Sequence, residues 1–262
     1  QFIRPIKWVL SLYGSELITM TLLDTESRSV SRLLQGQAEV PIQSVEAYDD
    51  MISQNGILLS GQCRESAIRD HFTSESCPPR PSVVTENANR TEVPVVVEAT
   101  FPEKFIQLPG EVIETVLSSQ MKCFPIYKGS DNQLTNHFKF VMNGCRDREV
   151  VKKGFEKVMT ARLSDAAYFY EQDHKIPFSS RIGKLSSVLF MEKLGTMDQK
   201  VQRISLIAEK LASFPEMQRL PELLTVISLY KVDLTTLLVQ ELTELQGVVG
   251  RIYSKEAGID QP

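Results

Sequence analysis

Through residues 1–148 the chain alternates short apolar runs with Gly, Pro, Ser and Asn punctuation, the pattern of strands joined by turns. Five runs are predicted as strands: 6–12, 17–22, 39–42, 94–99 and 138–143. Two helical stretches interrupt them. The first opens at Ser44, whose hydroxyl can accept from the free amides of a first turn; it places Val45, Tyr48 and Ile52 on one face and ends near Asn55-Gly56. The second, 109–120, aligns Val112, Val116 and Leu117 on one stripe and leads into a strand at 123–127. Between them, Thr73-Ser74-Glu75-Ser76-Cys77-Pro78-Pro79-Arg80-Pro81 is proline-rich and apolar-poor, and reads as a loop or stiff connector.

After Glu149 the period becomes that of a helix and stays there. Val151, Phe155, Val158 and Arg162 begin a long helix that the pattern carries through Tyr170, and Val201, Ile204, Ile207, Ala208 and Leu211 mark another at three-four spacing. Residues 223–230 and 234–245 supply two more, with Pro177, Pro215 and Pro221 placed where helices should start or break. The predicted fold class is α+β: a mixed α/β module over residues 1–148, then an all-helical module over 149–262.

Composition narrows the reading without redirecting it. The 262 residues suffice for two domains with separate cores, and no apolar run approaches the eighteen or so residues of a membrane span. The start Gln1-Phe2-Ile3 lacks an initiator Met and a signal-peptide layout, so an excised piece of a longer protein is expected. Cys63, Cys77, Cys123 and Cys145 form no CxxC pair and have no His at ligand spacing; they read as reduced thiols, and no metal site is expected. A net charge of -4 and a pI near 5.6 argue against a general nucleic-acid binder. Any RNA contact must be local.

Candidate chemistry is sparse. In Phe2-Ile3-Arg4-Pro5-Ile6-Lys7-Trp8, Arg4 and Lys7 could grip phosphates beside a stacking indole; an edge strand with solvated cations and a buried indole explains the same residues. The densest polar run is 161–175. There Arg162 and Asp165 stand at ion-pair spacing, and Asp165, Glu171, Asp173 and His174 imitate an acid-base cluster. Asp173 and His174, however, are adjacent, and a helix points neighbours about 100° apart, so packing aromatics (Tyr168, Phe169, Tyr170) among solvated charges is the plainer account. His71 and His137 lack a Cys or Ser partner, and neither GxxxxGK[ST] nor GxGxxG occurs. No catalytic residue is assigned.

Several ordered strings carry a resemblance. Phe2-Ile3-Arg4-Pro5-Ile6-Lys7-Trp8; Leu108-Pro109-Gly110-Glu111-Val112-Ile113 with Cys123-Phe124-Pro125; Ala161-Arg162-Leu163-Ser164-Asp165-Ala166 with Phe169-Tyr170-Glu171-Gln172-Asp173; Glu192-Lys193-Leu194-Gly195-Thr196 with Lys200-Val201; Lys231-Val232-Asp233-Leu234; and Glu244-Leu245-Gln246-Gly247-Val248-Val249-Gly250-Arg251 are similar to segments of the β part of bacterial-type, two-part glycyl-tRNA synthetases. Departures are a Gly-His-Arg-Phe-like turn missing near residues 28–34, a shortened 77–81 stretch, and Met121-Lys122-Cys123-Phe124 where Gln-Lys-Tyr-Phe is usual.

The resemblance implies a central piece of that β part: a module like the B3/B4 fold of the phenylalanine enzyme's β subunit, then a degenerate HD-like module with Asp233 as a remnant of the HD pattern. It further implies tRNA(Gly) binding and assembly with a separate or fused α part in a cytoplasmic or organellar-stroma hetero-oligomer. ATP and Mg would be used by the α part, with no cofactor in this piece and no membrane partner. Arg4, Lys7, Trp8, Arg162, Lys193 and Lys200 are then tRNA-binding candidates, and Asp165, Phe169, Tyr170, Asp233 and Gly247 motif residues. The competing expectation is hydrolytic: editing in a B3/B4-like pocket, or an HD-type phosphohydrolase.

Overall fold

In the computed structural model, residues 5–34, 39–72, 76–129, 131–144, 147–212, 214 and 220–259 are described. They form the α+β architecture expected, divided into two compact units. The first comprises the described parts of Gln1–Ala99, Lys122–Phe124 and Lys139–Lys152, and the second those of Thr100–Met121, Pro125–Phe138 and Lys153–Pro262.

The first unit begins with two-residue strands rather than the longer runs predicted. The 6–12 run splits into Val9–Leu10 and Leu12–Tyr13, and the 17–22 run into Glu16–Leu17 and Thr21–Leu22. The cause is where the backbone finds partners. The Ser11 carbonyl accepts from Ile18 N at 3.0 Å, while the buried Ser27 hydroxyl donates to Ile18 O at 2.8 Å and accepts from Met20 N at 2.9 Å. Serine cross-links thus replace ladder bonds. The chain reverses at Leu23 and Asp24, both at positive φ (46° and 62°), so Leu22 pairs with Thr25 across a two-residue turn whose twist suits a hairpin. Val9–Leu10 then lies parallel to Thr25–Arg28, and Val30–Ser31 pairs with Val40–Pro41 around the predicted 39–42 run.

Helix α1 (Val45–Gln54) forms as its caps dictate: Ser44 Oγ accepts from Ala47 N at 3.2 Å, Asn55 closes it, and Gly56 follows at φ +67°. Helices α2 (Gly61–Arg69) and α3 (Pro81–Arg90) form where no element was predicted, α3 starting on the last residue of the proline-rich connector. Residues 73–75 of that connector lie outside the described residues. Pro81 occupies the first turn of α3, where its missing N–H costs nothing, and α3 buries Val83, Val84, Asn87 and Ala88. The strand Pro94–Thr100 follows as predicted, and Gln133–Asn143 extends its prediction upstream. Asn143 Oδ1 accepts from Glu92 N and Val93 N, each at 2.9 Å.

In the second unit, α4 (Gly110–Glu114) continues into a π turn, Thr115–Gln120, and Phe138 packs against Phe101 and Phe155 with ring centroids 6.3 and 6.2 Å apart. Helix α5 runs from Arg148 to His174, beyond the predicted end at Tyr170; it buries Met159, Leu163, Ala166 and Asp173. These lie four, three and seven residues apart, a single apolar stripe whose last member is a carboxylate. After Pro177 come a 3-10 segment (Phe178–Ser187), then α6 (Met197–Leu211), opened by a reciprocal Thr196/Gln199 capping box, and α7 (Leu220–Leu229).

The continuous helix predicted over 234–245 does not form. The segment is a 3-10 turn (Val232–Thr235), α8 (Leu237–Glu241) and another 3-10 turn (Thr243–Leu245), followed by α9 (Val248–Glu256). Thr236 has extended backbone, its hydroxyl capping Val239 N, and this restarts the helix. No helix among the described residues is long and apolar enough to cross a membrane.

Candidate functional site

In the first unit a cleft of about 780 Å³ is lined by Lys7, Trp8, Arg32, Arg64, Asn89, Arg90 and Glu92 among others. Three surroundings set the charge of its cations. Arg32 pairs with Glu39 at 3.1 Å and lies over the Trp8 ring, 5.6 Å from the centroid; Arg90 pairs with Glu86 at 2.5 Å, one helical turn away. Arg64 donates only to carbonyls, from Nε to Ala88 O at 2.6 Å and from Nη1 to Leu58 O and Leu59 O at 2.5 and 2.7 Å. No ion pair among the described residues engages it, while its position is fixed. Lys7 is exposed, with no paired carboxylate among the described residues. Trp8 is 38% exposed, which corrects the buried-indole reading. A fixed guanidinium, a free ammonium and an Arg-covered indole facing one concavity can hold an anionic, flat-faced ligand.

Of the sequence-nominated residues, only Lys7 and Trp8 line this cleft; Arg4 lies outside the described residues. Arg162 and Asp165 are exposed on α5 and form no ion pair with each other, both bordering a 10 Å³ crevice against Gln120 and Glu241. Lys193 is exposed; Lys200 sits 4.0 Å from the centre of the Phe190 ring, a packing role as much as a charge. Phe169 meets Tyr168 edge-on at 5.8 Å. Arg32 and Arg64 escaped sequence reasoning because residues from distant segments complete the cleft.

The second unit uses its charges differently. Asp173, 2% exposed, is a hub. Its Oδ1 accepts from Arg181 Nη2 at 3.0 Å and Leu237 N at 2.9 Å, and its Oδ2 from Leu238 N at 3.0 Å and the Tyr253 hydroxyl at 3.3 Å. Arg181, 3% exposed, also donates to the carbonyls of Asp173 and Thr235. Burial, and then the neighbouring Asp173 charge, push the Tyr253 phenol above its ordinary value. His174 points away, as its helix position requires: its Nε2 meets Glu256 Oε2 at 2.8 Å and its Nδ1 the Tyr170 carbonyl at 2.7 Å, while the Tyr170 hydroxyl donates to Glu256 at 2.5 Å. The period of the α5 stripe is the sequence signal that could have singled out Asp173.

Asp233 and Gly247, nominated separately, come together. The buried Asp233 carboxylate accepts from Gly247 N–H at the start of α9, where Gly247 adopts φ +85°. Among the described residues, no three His, Cys, Asp or Glu side chains stand together to hold a metal. Burial pushes the Cys77 thiol up to about 11 and raises Cys123 as well, so neither is a ready thiolate near neutral pH.

Residues 1–262 match a family described as "Glycyl-tRNA synthetase beta subunit". Curated relatives named "Glycine--tRNA ligase beta subunit" include one from Bacillus subtilis, 32% identical over 274 residues that cover 100% of this chain and 40% of the relative. Others come from Dictyoglomus turgidum, 31% identical with 100% and 39% covered, and Lactobacillus acidophilus, 34% identical with 100% and 39% covered. The chain thus spans about 40% of the length of such relatives.

Proposed function

From the premise that this chain belongs to the glycyl-tRNA synthetase beta subunit family, we propose that it serves a glycine-tRNA ligase by helping to grip tRNA(Gly) and to assemble with the α part. The observation that carries the RNA role is the Lys7–Trp8–Arg32–Arg64 cleft: a local cationic concavity with an exposed indole in a chain whose net charge is -4. Assembly draws support from the first unit's turns, where Tyr13, Leu17, Ile18, Met20, Leu22 and Leu23 are all exposed. In this reading ATP and Mg²⁺ belong to the α part, and the enzyme works in the cytoplasm or an organellar stroma.

The test is tRNA(Gly) binding by the full-length enzyme carrying Lys7→Glu with Trp8→Ala. Loss of one base stack and one phosphate contact should raise Kd about tenfold and flatten the salt dependence. Unchanged affinity and slope would remove the cleft from the RNA path. The hydrolase alternative has less support, because Asp173 and Asp233 are both buried, the first with both oxygens taken by donors of the fold and the second bound to the Gly247 amide.

A further inference from the structure

A second cavity, of about 450 Å³, lies wholly within the second unit, between the end of α5, the 3-10 segment Phe178–Ser187 and the start of α8. Its cations are Lys175, Arg181 and Lys184, and no Asp or Glu among the described residues lines it. Arg181 is neutralised by Asp173 behind it, yet its Nε–H is a buried donor without an acceptor. Lys175 donates to Gln172 Oε1 at 3.1 Å, a neutral partner, and among the described residues no carboxylate pairs with Lys184. Each ammonium carries three N–H donors, so most of this donor capacity at the cavity is left for solvent or a ligand. Gln240 adds an amide, and Leu234 and Leu237 supply apolar wall.

Cations gathered around one concavity raise the local concentration of anions more than the same charges spread over a flat surface. Lysine point charges with several rotatable donors suit phosphate oxygens, and the volume falls in the ordinary range for small-ligand sites. The geometry points to a binding site for a phosphate-bearing ligand of mononucleotide size, held by Lys175 and Lys184 and independent of the cleft in the first unit. No Gly-rich loop takes part, which is why motif reading passed over it.

The experiment titrates the full chain at low ionic strength with inorganic phosphate, AMP and a 5′-phosphorylated single-stranded oligonucleotide, using calorimetry and phosphorus NMR. AMP should bind saturably, and Lys175→Glu with Lys184→Glu should weaken it about tenfold or more. The melting temperature should hold, because both side chains are exposed. An oligonucleotide that competes with AMP, and is lost in the same variant, would identify an RNA terminus as the source of the phosphate and leave the site standing. Failure of AMP and phosphate to saturate at millimolar concentration, or equal binding by the charge-reversed variant, would overturn it. AMP affinity lost in Lys7→Glu with Trp8→Ala but kept in Lys175→Glu with Lys184→Glu would place the nucleotide in the first cleft and overturn the assignment, which separates this site from the RNA reading above.

Discussion

The cleft around Trp8 and the hub around Asp173 draw on the same side-chain chemistry, arginine, carboxylate and aromatic ring, and spend it oppositely. In the hub every carboxylate oxygen is occupied and the Asp173 and Arg181 side chains are almost wholly out of water. In the cleft the cations keep donors in solvent and the indole is partly bare. Buried charge must be saturated because desolvation is expensive; exposed charge is cheap to leave open and so remains available to a ligand. The contrast teaches where mutation should break the fold and where it should break binding.

The largest effect falls on Asp173. Asp173→Ala strands the Arg181 guanidinium and the amides of Leu237 and Leu238 in the interior, and should cost about 3–5 kcal/mol in chemical denaturation. Asp173→Asn, which keeps an acceptor, should lose less. An Ala variant as stable as wild type would mean the hub contributes specificity alone. Next comes Gly247, at φ +85°: Gly247→Ala should cost about 1–3 kcal/mol through backbone strain, seen as a lowered melting temperature.

The hub also sets an alkaline limit. Tyr253 stays neutral in the folded chain above the pH near 10 at which an unfolded tyrosine ionises. A raised folded value means the stabilisation is complete below about pH 10 and drains away as pH rises beyond it. Tyr170, raised first by burial and then by its bond to Glu256, adds to the same fall. Tyr253→Phe should lose about 1 kcal/mol at neutral pH, for one hydrogen bond, while flattening the drop in melting temperature between pH 9 and 11. A variant whose alkaline fall matches wild type would detach Tyr253 from it.

Much of this contrast was written locally. Ser44 and Asn55-Gly56 bracket α1 by capping chemistry, and the period of α6 is plain in Val201, Ile204, Ala208 and Leu211. Helix α2 escaped because it buries only Ile68, leaving no stripe, and α3 because its leading prolines read as connector when Pro81 was a first-turn residue. The break at Thr236 was hidden by distance: the carboxylate that takes the Leu237 and Leu238 amides lies 64 and 65 residues earlier, beyond any local pattern. For the same reason the cleft was half legible. Lys7 and Trp8 stand together in sequence, whereas Arg32 and Arg64 reach them only through tertiary packing.

The sharpest test of the comparison belongs to Trp8. Replacing a buried tryptophan by alanine costs roughly 3–5 kcal/mol, because a large cavity is left in the core. Trp8 is instead 38% exposed, so only part of that burial is at stake, together with the Arg32 guanidinium over its ring, worth about 0.5–1 kcal/mol where solvent reaches. Trp8→Ala should therefore destabilise the chain well below the cost of Asp173→Ala while removing the stacking face, a loss of about 1–3 kcal/mol of binding per stacked base. Arg32→Ala should act the same way on stability but mainly reduce the salt slope, since it removes charge and not surface. If Trp8→Ala instead unfolded the chain as Asp173→Ala should, the indole would be a core residue after all and the division between the two regions would fail.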